Sequence, residues 1–202
     1  MKILKILPAL AIAVFLSVSG GCSLMHMHLH GNGRVVSLDR SVSDFRGVVL
    51  NGVGNINVYY SEDCRVVVTT DSNIQNIIVT EVNGGFLHIN EHCHGSFNPT
   101  KLKVDIYMPE LNFIKLKGAG NIRIMGGSTD NLDLVLSGCG NIDAQNIVAE
   151  NVVVSLSGAG DIKTWVTGSL TGSLSGVGSI LYKGNPSTNN IHRTGVGNIR
   201  KL

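Results

Sequence analysis

The chain has 202 residues, 25 of them glycine, with 15% charged residues and a formal net charge of +2. Lys2 and Lys5 carry that excess, so the chain beyond residue 22 is electrically balanced. It has neither a basic patch suited to nucleic acid nor an acidic block suited to cations, and a neutral surface rich in Ser, Thr, Asn and Gly fits the extracytoplasmic side.

Residues 1–22 read as a lipoprotein-type signal peptide. Lys2 and Lys5 form a positive n-region, and Ile6 to Val18 an apolar stretch that is short for a membrane span and interrupted by Pro8. Small residues Ser19-Gly20-Gly21 precede Cys22, which makes Cys22 the candidate lipidation site and new N-terminus. Ser19 stands where a lipobox usually has leucine, so cleavage by ordinary signal peptidase is the alternative.

Residues 23–40 form a His-containing tether and a first strand, Arg34 to Leu38. His26, His28 and His30 alternate, so an extended chain puts them on one face, and imidazole is the commonest metal ligand. They are weak metal-site candidates. Flexible histidine tracts often take up metal without a resident site, so the expectation is no cofactor.

Residues 41–110 are β-rich but irregular. Strands are expected at Phe45 to Leu50, Ile56 to Tyr60, Cys64 to Thr70, Ile74 to Glu81, Phe86 to Asn90 and Leu102 to Met108. Asn83-Gly84-Gly85 signals a hairpin turn. The region reads either as coils decorated by hairpins or as a small sheet capping the coils. His92-Cys93-His94 reads as a polar loop, since neighbouring strand residues face opposite sides and all three could not converge on a metal.

The rest of the chain is organised by one motif. Gly-x-Gly followed by Asn, Asp or Ser and then Ile occurs six times. Its glycine pairs are Gly52 and Gly54, Gly118 and Gly120, Gly138 and Gly140, Gly158 and Gly160, Gly176 and Gly178, and Gly195 and Gly197. From Gly118 the spacing is 20, 20, 18 and 19 residues, the period of one supersecondary unit stacked on copies of itself. Two residues before each first glycine stand Leu50, Leu116, Leu136, Leu156, Leu174 and Arg193; four before stand Val48, Ile114, Leu134, Val154, Gly172 and Ile191. This apolar-polar alternation describes a strand with one buried face, and the motif isoleucine begins another. A strand, a glycine corner and a strand every 20 residues or so is one coil of a parallel β-solenoid.

The twelve motif glycines are therefore read as structural turn residues. The middle position holds Val53, Ala119, Cys139, Ala159, Val177 and Val196, and the small apolar set predicts an inward-pointing corner with Cys139 a core thiol. With Cys139 inside, Cys64 and Cys93 are the only pair left to bridge in an exported protein, although three cysteines allow no complete pairing. The column Asn55, Asn121, Asn141, Asp161, Ser179 and Asn198 is a candidate polar ladder. Arg193 replaces the core leucine in the last coil and, with Arg200-Lys201, reads as a polar end cap.

Leu136 to Ile142 and Leu156 to Ile162, the lead-in DFRGVVLNGVGNINVYY, VNGGFLHI and VDIYMPELNFIKLKGAG resemble the GIN-domain family of auto-transporter adhesin heads. The likeness spans residues 41–202. It implies an exported, often lipidated domain built on a right-handed parallel β-helix, an adhesin-like role, and no catalytic residues.

The residues point the same way. Carboxylates Asp133, Asp143 and Asp161 are scattered, no Ser-His-Asp or HExxH pattern occurs, and the expectation is no enzyme. No glycine pair has the strand-to-helix context of a phosphate loop, and the period is wrong for calcium-binding glycine-aspartate repeats. The expected function is an envelope-bound binding or adhesin-like module, held to the membrane by lipid, with a carbohydrate or protein ligand and no nucleic acid. Alternatives are an envelope scaffold that self-associates through β-helix edges as a homo-oligomer, and a weak metal-binding lipoprotein.

Overall fold

The computed structural model describes residues 27–92 and 95–202. The fold is all-β, 67% strand, with no helix among the described residues. Strands β1 (Met27–His30) and β2 (Val35–Arg40) precede β3 (Gly47–Leu50) and β4 (Val53–Tyr60), which flank the first glycine motif. The irregular middle holds β5 (Arg65–Asp71), β6 (Ile78–Asn83), β7 (Phe86–Glu91), β8 (Gly95–Asn98) and β9 (Leu102–Met108). The regular repeats supply β10 (Phe113–Leu116), β11 (Ala119–Ile124), β12 (Ser128–Leu136), β13 (Cys139–Leu156), β14 (Ile162–Leu174), β15 (Ile180–Lys183), β16 (Thr188–Arg193) and β17 (Ile199–Lys201).

Strands ahead of the motif stack in one row: β7, β3, β10, β12, the second halves of β13 and β14, then β16. Strands after it stack in another: β9, β4, β11, the first halves of β13 and β14, β15, then β17. All these pairings are parallel, and the register is one repeat. Leu116 pairs Leu50 and Leu136, and Ile122 pairs Ile56 and Ile142. The long β13 and β14 run from one row into the other, so the rows form a single nearly closed, barrel-like sheet of 15 strands. Strands β1 and β8 make a separate parallel pair.

The core follows the alternation. Leu50, Leu116, Leu136, Leu156 and Leu174 are buried in one column, and Ile56, Ile122, Ile142, Ile162 and Ile180 in the facing one. Removing each such side chain from water stabilises the fold by about 1.5–3 kcal/mol, which offsets much of the ordering entropy of so glycine-rich a chain.

The sheet is mixed, which corrects the expectation of a wholly parallel solenoid. β5 runs antiparallel to β9 and β2, and β6 antiparallel to β7. The cause is local. Gly84 and Gly85 have φ of +60° and +79°, the two-residue turn that forces a hairpin. The interval between the first two motifs inserts no strand between them, because Val53 pairs directly with Ala119. The intervening chain passes to the far side of the first coil, adds β7 and β9 as parallel rungs, and closes that end with antiparallel β5, β2 and β6. A capping sheet is what the region builds.

Asp71 ties this end together. It is fully buried and accepts hydrogen bonds from the Gly33 N–H (2.7 Å), the Thr100 N–H (2.8 Å) and the Thr100 hydroxyl (2.7 Å). Burial pushes its carboxyl up, but the Thr100 hydroxyl and the Thr100, Gly33 and Lys101 amides outweigh it and hold the group below the usual carboxylate range.

The glycine corners differ from expectation in two respects. First, the middle residues point outward: Val177 is 59% and Val196 73% exposed, and Cys139 is an exposed free thiol rather than a core one. The glycines themselves face the neighbouring coil. A Cβ on Gly158 would lie 2.0 Å from the Gly138 carbonyl oxygen, and one on Gly160 1.7 Å from that of Gly140. The second glycine also holds φ of +137°. Backbone meets backbone at the corner, so the side chain between the glycines has nowhere to go but out.

Second, not every motif glycine is a turn residue. The chain bends at the first glycine of each pair, Gly52 among them, but Gly54, Gly120 and Gly140 already belong to strands β4, β11 and β13. Only in the last three copies, at Gly160, Gly178 and Gly197, does the second glycine lie in a bend as well. Gly178 repeats the close approach, with a Cβ 1.8 Å from the Gly160 oxygen. Gly54 does not. It sits against the capping end, where a Cβ would meet only the Leu102 side chain at 3.5 Å, an ordinary contact. Its φ of +150° is therefore what favours glycine there, and Gly54, read from the sequence as a turn residue, is a strand glycine.

Candidate functional site: the polar outer face of the coils

The outward residues after each corner form longitudinal columns. The first is the amide column, and it is continuous. Asn121 donates Nδ2–H to Asn55 Oδ1 (3.0 Å), and Asn141 to Asn121 Oδ1 (2.9 Å). Asn141 Oδ1 then accepts the Asp161 N–H (3.0 Å), and Asp161 Oδ1 the Ser179 N–H (2.8 Å). Parallel in-register stacking places like positions one strand spacing apart, about 4.8 Å, which a carboxamide bridges.

Two residues further along each strand lie Asn57, Arg123, Asp143 and Lys163, on the same face by the two-residue period. Together with the amide column they line a groove of 380 Å³. Arg123 Nε stands 3.9 Å from Asp143 Oδ2, and Gln145 donates to Asp143 Oδ1 at 3.0 Å. At one end Asp105 accepts from Asn57 Nδ2 (2.9 Å) and pairs with Lys103 (2.6 Å). The hydrogen bond to Asp105 holds the Lys103 ammonium pKa above its ordinary value despite burial.

One step on again, Tyr59 and Tyr107 stack with ring centroids 5.0 Å apart and planes 17° from parallel. The Arg65 guanidinium sits 5.7 Å from the Tyr107 centroid and is held by Asp39 at 2.6 Å. Trp165, two residues past Lys163, is 38% exposed.

The other candidate residues lie elsewhere. Cys22 and His26 fall outside the described residues, as do Cys93 and His94. His28 and His30 are exposed on β1 with ring centroids 4.7 Å apart, and His28 Nδ1 is hydrogen-bonded to Ser96 Oγ. Among the described residues no group of three or more His, Cys, Asp or Glu is placed to hold a metal. Cys64 is a free, half-buried thiol. Arg193 is exposed and donates Nη1–H to the Gly197 carbonyl at 2.5 Å.

Sequence reading picked out the amide column but not the charged and aromatic ones beside it. The signal was available. Reading each repeat forward from its isoleucine gives Asn57, Arg123, Asp143 and Lys163 at the next outward position.

Two rows of in-register parallel strands with an amide ladder on the outer face define an all-β domain. The family model described as "Putative auto-transporter adhesin, head GIN domain" matches residues 44–126 and again 114–186. The chain belongs to this GIN-domain family. A crystal structure described as a "putative adhesin" from Bacteroides fragilis is similar at 27% identity and a TM-score of 0.59, covering 86% of this chain and 100% of that one. A "putative adhesin" from Parabacteroides merdae matches at 16% identity and TM-score 0.41, over 86% and 99%. A "putative cell adhesion protein" from Clostridium sporogenes matches at 15% and 0.37, over 84% and 100%. No curated protein matches the chain.

Proposed function

We propose that the chain is an exported, lipid-anchored, adhesin-like module of the bacterial cell envelope that binds its ligand on the outer face of the coils and carries out no reaction. The observation that carries this reading is the ladder-lined groove, a recognition surface repeated over successive coils. Its carboxylates are engaged in the scaffold: Asp161 caps the next amide, and Asp143 holds Gln145 and faces Arg123. Membership of an adhesin-head family and likeness to the Bacteroides fragilis protein support the role. Gly20-Gly21-Cys22 supports the anchor. The two parallel rows are the walls of a right-handed β-helix, the hand that twisted strands favour in parallel crossovers.

Self-association through open edges is less favoured, because exposed Arg193, Arg200 and Lys201 place like charge at the last coil. The test is display and adhesion. Bacteria expressing the full chain should expose it to externally added protease and adhere to host-cell or glycan-coated surfaces above a vector control. Surface exposure without any gain in adhesion overturns the proposal.

A further inference from the structure

The groove across β4, β11, β13 and β14 is suited to a particular chemistry. We infer that it is a binding site for a linear, uncharged polysaccharide lying parallel to the stacking axis, with the Tyr59–Tyr107 stack as a sugar platform at one end. This rests on the adhesin-like reading and names its ligand class.

The argument begins with the carboxamides. An Asn side chain has two N–H donors and two acceptor lone pairs. Asn121 and Asn141 each use one donor and one acceptor within the ladder. Each therefore keeps one N–H and one lone pair for a ligand. That pairing complements a hydroxyl, which also donates and accepts. The ladder fixes the rotamers beforehand, so little side-chain freedom is lost on binding. Asn55 on β4 adds N–H donors and Asp161 on β14 carboxylate lone pairs, so hydrogen-bonding groups line the groove over about 14 Å across its four strands.

Charge selects against other ligands. Arg123 and Lys163 alternate with Asp143 and Asp161, so the groove has no net charge. A polyanion would gain little from it, since such binding depends on uncompensated Lys and Arg. Guanidinium, ammonium and carboxylate groups instead bridge neighbouring hydroxyls. The walls are too polar for a lipid tail, and the apolar lining residues Ile56, Ile122 and Ile142 are buried in the core, so the groove presents no aromatic or apolar anchor of the kind that centres most protein interfaces. The aromatic platform completes the site. Tyr59 follows Asn57 on the outward face, and Tyr107 follows Asp105 across the β4–β9 pair. With Tyr107 flanked by Tyr59 and Arg65, the Tyr59 face turned away from Tyr107 is the one on which the apolar face of a pyranose stacks.

The experiment uses the full chain in detergent micelles. The probes are hexasaccharides of β-1,4-glucose, β-1,3-glucose, β-1,4-mannose and β-1,4-N-acetylglucosamine, with polygalacturonate as the acidic control, titrated by calorimetry at low and high salt. At least one uncharged probe should bind, nearly independently of salt. Lys163→Ala and Arg123→Ala, both outward substitutions, should weaken it about tenfold each, the equivalent of one charged hydrogen bond. Tyr59→Ala should lower affinity, whereas Val196→Ala, at the exposed last corner and outside the groove, should leave it unchanged. Thermal melts confirm that each variant is folded. Binding of polygalacturonate alone, binding indifferent to both charge variants, or no binding of any probe overturns the inference. Adhesion of whole cells that survives Lys163→Ala and Arg123→Ala and is not competed by the hexasaccharides would overturn the glycan site while leaving the adhesin reading intact.

Discussion

Replacing Gly160 by alanine tests the corner more sharply than any other change. The new Cβ would sit 1.7 Å from the Gly140 oxygen and 2.7 Å from its carbonyl carbon, and the residue would have to hold φ at +137°. Backbone strain of that kind costs about 1–3 kcal/mol, and overpacking that cannot relax costs a similar amount. Opening the coils to relieve it weakens the flanking bonds from Gly140 N–H to Ala159 O and from Ala159 N–H to Gly138 O, both 2.9 Å, at about 0.5–1.5 kcal/mol each. The total is about 3–9 kcal/mol, a fall in Tm of at least about 6 °C for a chain of this size. Gly158→Ala lacks the positive φ and meets the Gly138 oxygen at 2.0 Å, so it should cost less, about 2–4 kcal/mol. Ala159→Val is the control: the position is exposed, its stacked neighbour is Val177, and the change should stay within about 0.5 kcal/mol. Circular-dichroism melts of the three variants decide it. Coincident melts for Gly160→Ala and Ala159→Val would refute the close-approach account.

Leu156→Ala should cost about 2–5 kcal/mol, since Leu156 is wholly buried between Leu136 and Leu174, and a melt matching the parent would contradict the stacked core. Cys22→Ser should release the protein from the membrane fraction and abolish acyl labelling; labelling that persists in the variant rules out the anchor. Asp71 has a lowered folded pKa, so its contribution is present above the unfolded carboxylate value near 3.9 and is lost as pH falls through the folded one. Asp71→Asn should remove that part of the acid sensitivity; an unchanged dependence of Tm on pH below about 5 would show that Asp71 is not the latch.

The two in-register parallel rows were legible because their cause is periodic. A leucine, two glycines and an isoleucine recur at fixed offsets, and parallel stacking requires only that like meet like. Cys139 shows where that reasoning stops. A column of Val, Ala and Cys looks like a buried one, yet size alone does not fix direction. The outward turn follows from the glycines on either side, whose missing Cβ atoms let Gly138 and Gly140 meet Gly118 and Gly120. Gly54 marks a second limit, because a motif at the end of a stack keeps the residue type without the neighbour that requires it. The capping sheet was half legible, one of two readings with its hairpin turn in view, and the choice between them was not. Its strands are set by one hairpin turn at Gly84-Gly85 and by Asp71 collecting donors from Gly33 and Thr100, distant pairings that leave no period. The candidate site lies between these cases. Its amide column was visible because Asn recurs, whereas Arg123, Asp143 and Lys163 alternate in sign and look unrelated along the chain. Stacking turns that lack of pattern into a property, because opposite charges one strand apart cancel. The result is a neutral groove rich in donors and acceptors, and that neutrality, more than any single residue, is what the proposed glycan site rests on.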